Sequence, residues 1–589
     1  MSTSPRTPRS FFPADLTPLI VSGWQTNKFD GSIPFWADVD GLQFTESGIR
    51  RRPGHSFLFR PLNGATYKSI RGLTSIQEYG TKVIYAGDLD KIYRYKANDP
   101  TSTDGTVVGS GYNLIENSGE TVWDSGASVW DGGSTTWDAA INEPSLWSFT
   151  NFGTWVIAAN DINPLQIKKD NETFAPLVNN GVNRVQIVLP GSNYSLNDVI
   201  SFSGGLQVVV TGFSGSEVSS LKITSYGSGY TNNQVVGGTG GTGTGLQLQL
   251  TTSNCPFTRV KAVDKSGPHV LAINYDRGSS ISREFDVAWC DEDDPDQWDP
   301  FASGSAAGSL TLREASSPLK CIVPLGENKA IYTDDQMFIL SYLGSPFYFG
   351  YQTAMTSGVG AVSSKSVVSV DRLNYGLSRR GFFETDGNSV KRIGDAEGIN
   401  RYVLDNVSEG EYSKVIAYHN KEHNEVIWSL PLETNVNNIE ISYNYSTGVF
   451  SKRTTSVTAA EESGVFHHPI TADDTSRIYF EDGSSSPHVT TATTKAHDLE
   501  DPYAIKEITS IRVGKVGEGN PKVSVGWASS INDEPTFYES DSFYVDAKYK
   551  EYNVRTSGRY LFLKIESSGS ADTWEISNIV IKGRLRGFR

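Results

Sequence analysis

Cysteine is nearly absent from this chain. The three present, Cys255, Cys290 and Cys321, are odd in number and far apart, which excludes a disulfide framework and any paired-cysteine metal motif. A reducing site of folding is expected. No apolar run approaches the ~20 residues that a membrane helix needs. Met1 to Arg9 are polar and Pro-rich with no apolar segment behind them, so neither a membrane segment nor a cleavable secretion signal is expected. Basic charge is also short: 51 Lys and Arg face 67 Asp and Glu, a net charge of −16, and the one basic run is Arg50-Arg51-Arg52. Tight nucleic-acid binding needs a basic face and is therefore disfavoured. The chain also lacks a nucleophile elbow, a Walker loop, a His-Glu-x-x-His zinc motif and a dinucleotide fingerprint.

What the sequence has in quantity is glycine, 57 residues, and aromatic side chains, 11% of the total; with only 3 Met, this composition favours many short strands and tight turns over helices. Five times a short apolar strand enters an Asp-, Asn- or Gly-rich turn and, usually, returns as another strand. The copies are Val83–Asp88 into Ile92–Tyr95, Trp155–Asp161 into Leu165–Ile167, Ala330–Asp335 into Met337–Leu340, Gly381–Gly387 into Val390–Ile393, and Ile478–Gly483. A hairpin cannot bury its apolar face alone, so these units are expected to pack on one another as propeller blades or sandwich layers.

Between these units lie several distinct segments. Residues 1–65 carry Pro5, Pro8, Pro13, Pro18 and Pro34 and read as an extended arm in need of a partner surface. Trp123-Asp124, Trp130-Asp131 and Trp137-Asp138 recur every seven residues, but the intervening glycines cannot sustain a helix, so the three indoles are expected to anchor a long connection, on the body or on a neighbouring subunit. From Val182 to Thr252 charge almost vanishes and Gly and Ser rise, which marks a small all-β domain inserted into the hairpin series. Its glycine run, Gly237–Gly245, lacks the Gly-Lys-Ser/Thr ending of a phosphate loop. The stretch Asp291–Asp296 crowds carboxylates between Trp289 and Trp298 but lacks the Gly and closing Glu of a calcium loop, and reads as a Trp-anchored turn. His419 and His423 are four apart, yet the flanking runs read as strand, turn, strand, which argues against a metal pair. From about residue 500 the strands lengthen and alternate strictly, as in a sheet wet on one face.

Taken together, Trp36–Leu42 leading to Arg51-Arg52-Pro53-Gly54, Val287-Ala288-Trp289 with Asp294-Pro295 and Trp298, Leu377–Phe383 with Asp386-Gly387, and Trp574 with the ending Gly583–Arg589 resemble the tail nozzle (tail tubular or hub) proteins of short-tailed bacteriophages. The resemblance covers most of the chain outside 182–252. It implies an all-β fold: a β-propeller-like body over 66–181 and 253–499, a β-sandwich or platform over 500–589, and the small inserted β domain. It implies six copies in a ring, a homo-hexamer between an adaptor or portal-side ring and a needle, spike or fibre. DNA would pass through the lumen without specific binding. Synthesis is then expected in the host cytoplasm and residence in the virion tail, with no catalytic centre, metal or cofactor. The candidate subunit contacts are Trp123, Trp130, Trp137, Arg50, Arg51 and Arg52. Two other classes stay open: a propeller-type polysaccharide-degrading enzyme, whose paired carboxylates leave no sequence spacing, and a host-glycan-binding module using Tyr194, Tyr226 and Tyr230.

Overall fold

The computed structural model describes the chain apart from residues 1–10, 17–22, 27–34, 62–66, 98–105, 113, 115–144, 171–172, 279–280, 356–357, 463, 484–488, 500, 569–572 and 589. It is almost entirely β, built from antiparallel sheets of which none closes into a barrel. Among the described residues the helical elements are Ile399–Asn406 and the 3-10 turn Glu409–Lys414.

Seven of the sheets have four strands each. Sheets I to VI occupy residues 72–110, 148–176, 257–311, 321–355, 367–392 and 416–454, each a simple meander of consecutive strands. Sheet VII takes three strands from 457–483 and its fourth from far away: Gly54–Phe59 pairs with Ile478–Gly483, Ile478 opposite Phe59. The fifth hairpin of the sequence series, which had no returning partner nearby, finds it in the N-terminal segment. Four of the expected hairpins form as read, with strands such as Thr81–Gly87 and Lys91–Lys96 in sheet I.

The first strand of each sheet packs against the first strand of the next: I on II, II on III, and so on to VI on VII, with Val457–Glu461 of VII returning to Gly72–Glu78 of I. The order closes on itself. Neighbouring sheets share apolar clusters, such as Ile76, Tyr85, Trp147 and Val156 between I and II, or Phe59, Ile84, Ile470 and Ile478 between VII and I. This is why inner strands such as Glu425–Leu430 are buried along their whole length rather than on alternate residues: both faces meet another sheet. Glycine lets indoles into these seams. A Cβ on Gly87 would meet the Trp147 ring at 2.5 Å, and one on Gly308 the Trp289 ring at 2.4 Å.

Both ends of the chain build a second body. A seven-stranded sheet joins Phe11–Asp15, Leu42–Phe44 and Ile49–Arg51 to Ala504–Val516, Tyr549–Asn553, Ser557–Gly558 and Glu575–Phe588. A five-stranded sheet joins Trp36–Asp40 to Thr490–Thr494, Lys522–Ala528, Thr536–Tyr544 and Tyr560–Ser567. Val39, Ile511, Val525, Leu563 and Ile579 lie in one core that continues to Trp428 and Phe450 of sheet VI. Of the 1–65 arm, the strands Phe11–Asp15, Trp36–Asp40, Leu42–Phe44 and Ile49–Arg51 find their partners in these two sheets, and the strand at 490–494 belongs with them rather than with the sheets before it.

Residues 181–253 form two three-stranded sheets of their own. Gly181–Ser192 pairs with Thr244–Ser253, and the register begins with Gly181 opposite Ser253, so entry and exit lie side by side between sheets II and III. Their own core holds Ile200, Val208, Val210, Leu246 and Leu248.

Candidate functional site

The residues singled out in the sequence fall in three places. Trp123, Trp130 and Trp137 lie outside the described residues. The basic run does not project outward: Arg51 and Arg52 are buried, and Arg52 faces both carboxylate oxygens of Glu425 at 2.9 and 3.0 Å and donates to Ser442 Oγ at 2.8 Å. Within the single chain these two guanidinium groups are turned inward. A desolvated guanidinium needs a counter-charge, and for Arg52 Glu425 on sheet VI supplies it. Arg50, half-buried, donates from Nε to Gln43 Oε1 at 2.7 Å and lies 2.7 Å from His423 Nδ1.

Of the three tyrosines, Tyr194 is buried in the core of the inserted domain, its ring against Gly191 and Gly243. Tyr226 is exposed. Tyr230 is half-buried; its hydroxyl donates to the Ser203 carbonyl and accepts from Leu206 N–H. Tyr230 borders an open cleft of about 520 Å³ where the inserted domain faces the acidic turn of sheet III, lined also by Asn180, Asn232, Asn254, Asp294, Asp296 and Gln297. The turn is Trp-anchored as expected: Trp298 donates from Nε1 to the Pro295 carbonyl and Trp289 to the Ala306 carbonyl, each at 2.8 Å. Asp296 is paired through Oδ2 with Lys169, while its Oδ1 has no hydrogen-bond partner; burial raises its pKa despite the lysine.

His419 lies near the end of the strand Ile416–Asn420 and His423 in the turn that leads to Glu425–Leu430, as read. His419 bridges Glu462 and Tyr445 at 3.1 Å each, and His468 approaches Glu422 at 2.9 Å. Among the described residues no group of three or more His, Cys, Asp or Glu side chains is placed to hold a metal ion. The three cysteines are buried and free, and burial pushes the thiols of Cys290 and Cys321 up to about 12, which leaves them protonated and unreactive.

Two polar assemblies had no signal in the sequence. In the first, Arg453, 2% exposed, is held between Glu440 and Glu481, and Tyr418 donates to Glu440 at 2.8 Å. The second lies where first strands converge. Lys365, just before sheet V, is close enough to feel Asp264 of sheet III and Glu461 of sheet VII, and burial lowers its pKa. Glu461 accepts from Thr74 Oγ1 at 3.1 Å and Ser75 N–H at 2.9 Å; burial pushes it up to about 7 against those bonds. Perturbed groups of this kind often mark active sites, but here the partners are strand backbone and side chains that tie sheet VII to sheet I. The arrangement holds sheets in register.

No protein-family model matches the chain, and no curated protein matches its sequence.

Proposed function

We propose that the seven four-stranded sheets are the blades of a seven-bladed β-propeller and that this chain is a structural subunit of the tail nozzle of a short-tailed bacteriophage, six copies forming a ring that conducts DNA during ejection. The observation that carries the reading is the closed order of first-strand contacts, fastened by the N-terminal strand Gly54–Phe59 and continuous with a two-sheet body made from both chain ends. A body of this kind suits a structural role. Its charged clusters support the same reading, because Arg52, Arg453 and Glu461 are each committed to holding sheets together. Six copies carrying −16 each total −96, and whatever part faces the lumen repels phosphate and lets DNA slide past. Partners of this reading are an adaptor or portal-side ring above and a needle, spike or fibre below. Negative-stain microscopy of the purified chain, alone and mixed with adjacent tail proteins, is expected to show six-fold rings; a protein that stays monomeric in every mixture overturns the reading.

One observation favours a second role, host-glycan binding at the inserted domain. The cleft beside Tyr230 offers amides and carboxylates that suit sugar hydroxyls, and Tyr226 is exposed on the same domain. A glycan array probed with the full chain and with a variant lacking 183–251 tests it, and equal signals from both sink it.

A further inference from the structure

The two outer strands of sheet IV, Met337–Gly344 and Tyr348–Met355, form a hairpin whose tip is apolar and uncovered. Leu343 is 61% and Phe347 75% exposed, with Tyr342 beside them at 41%. The tip is set in a stretch, Gln336 to Ser364, without a single Asp, Glu, Lys or Arg, in a chain where one residue in five is charged. Uncovered side chains of this size on an ordinary solvent-facing hairpin are normally diluted by charge. The tip is also rigidly rooted. At its base Phe349 is buried and packs on Trp289 at 5.1 Å, while His269, fully buried, lies 5.5–5.7 Å from Phe349, Tyr348 and Tyr342. Phe349 N–H donates to the Phe347 carbonyl at 2.6 Å, Phe347 N–H to that of Gly344 at 3.2 Å, and Leu343 lies over Gly350 where a Cβ would meet its Cδ1 at 2.8 Å. An ordered aromatic projection loses little conformational entropy on docking, the property of an interface anchor.

We propose that this hairpin tip docks on a second copy of this chain, Leu343 and Phe347 entering a different surface of the neighbour. Charge decides the occupant. Two copies that each carry −16 repel one another wherever acidic surfaces meet, so identical chains associate best through a patch that has no charge to desolvate. The contact is head-to-tail, because a tip meeting its own symmetry mate closes a dimer, whereas a tip meeting another patch leaves each copy able to take a further neighbour, as a ring requires. The inference rests on the ring reading above and supplies one of its contacts.

The test pairs mass photometry of the full chain with that of the double variant Leu343→Asp, Phe347→Asp, alone and with adjacent tail proteins. The expected result is a six-copy wild type and a variant that remains monomeric, with at least a tenfold loss of assembled particles and a melting temperature within about 2 °C of wild type, as suits largely exposed positions. If wild type and variant both assemble, the hairpin contact is overturned and the ring reading stands; if wild type never assembles, both fall. Should the double variant not fold, a photo-crosslinking residue at position 343 of the full chain replaces it: links between copies support the contact, and links confined to one chain overturn it.

Discussion

Arg453 shows how much a single side chain carries here. Its guanidinium is desolvated among Glu440, Glu481 and Tyr418, so Arg453→Met leaves two buried carboxylates without their counter-charge. Breaking such a pair costs about 3–5 kcal/mol, and a urea titration is expected to show the midpoint falling accordingly. Glu461 gives a pH-dependent counterpart. Its folded-state value, about 7, lies above the ordinary 4.5, so the native state holds a proton that the unfolded chain has released. Its contribution is complete below about pH 4.5 and is lost as pH rises toward 7. Glu461→Gln keeps an acceptor for Thr74 and Ser75 and removes the titration. Melting curves are expected to place the variant above wild type at pH 8 and level with it near pH 4.5; a constant offset at all pH values refutes the assignment. Glu507 runs the other way. Arg584 and Arg586 hold it down at about 2, so its contribution is present above about pH 4.5 and fades as pH falls toward 2. None of these roles was legible in the sequence. Thr74 and Ser75 are 387 and 386 residues from Glu461, and the only local sign of Arg453 is a charge at an inward position of a strand.

At the level of elements, local chemistry was readable and distant pairing was not. Hairpins such as 328–332 with 337–344 were legible because the turn residues and both strands lie in one short continuous segment. The inserted domain was legible because its composition changes abruptly at both ends. What escaped was the strand Gly54–Phe59, which looks like a basic turn followed by a short apolar run until Ile478–Gly483 is placed beside it. Phe59 of that strand is fully buried and stacks on Tyr95 of sheet I, ring centroids 4.2 Å apart. Phe59→Ala removes the bolt between first and last sheets and is expected to cost about 3–5 kcal/mol, read as a lowered unfolding midpoint. Excision of 183–251 behaves differently. Because Gly181 and Ser253 are paired neighbours, joining them with a short turn is expected to shift the melting temperature of the remainder by no more than a few degrees; collapse of the whole protein would show that the insertion is structural.

At the level of the molecule, the sequence pointed to stacked β units but not to their number or circular order, because the contacts that set the order run between first strands that bear no mark of their neighbours. The two-sheet body was half visible, as alternating strands after residue 500; the N-terminal strands that complete it were hidden by their proline-rich surroundings. The fastening of sheet VII by residues 54–59 has a consequence for biosynthesis. While the ribosome is still working through sheets I to VI, Gly54–Phe59 has emerged and has no partner, and the circle stands open between sheets I and VI. Closure waits until residue 483 clears the exit tunnel, and the two-sheet body waits for residue 588. The nascent chain therefore spends most of its synthesis with one hungry strand edge, and chaperone occupancy on stalled ribosomes is expected to drop sharply once those last segments appear.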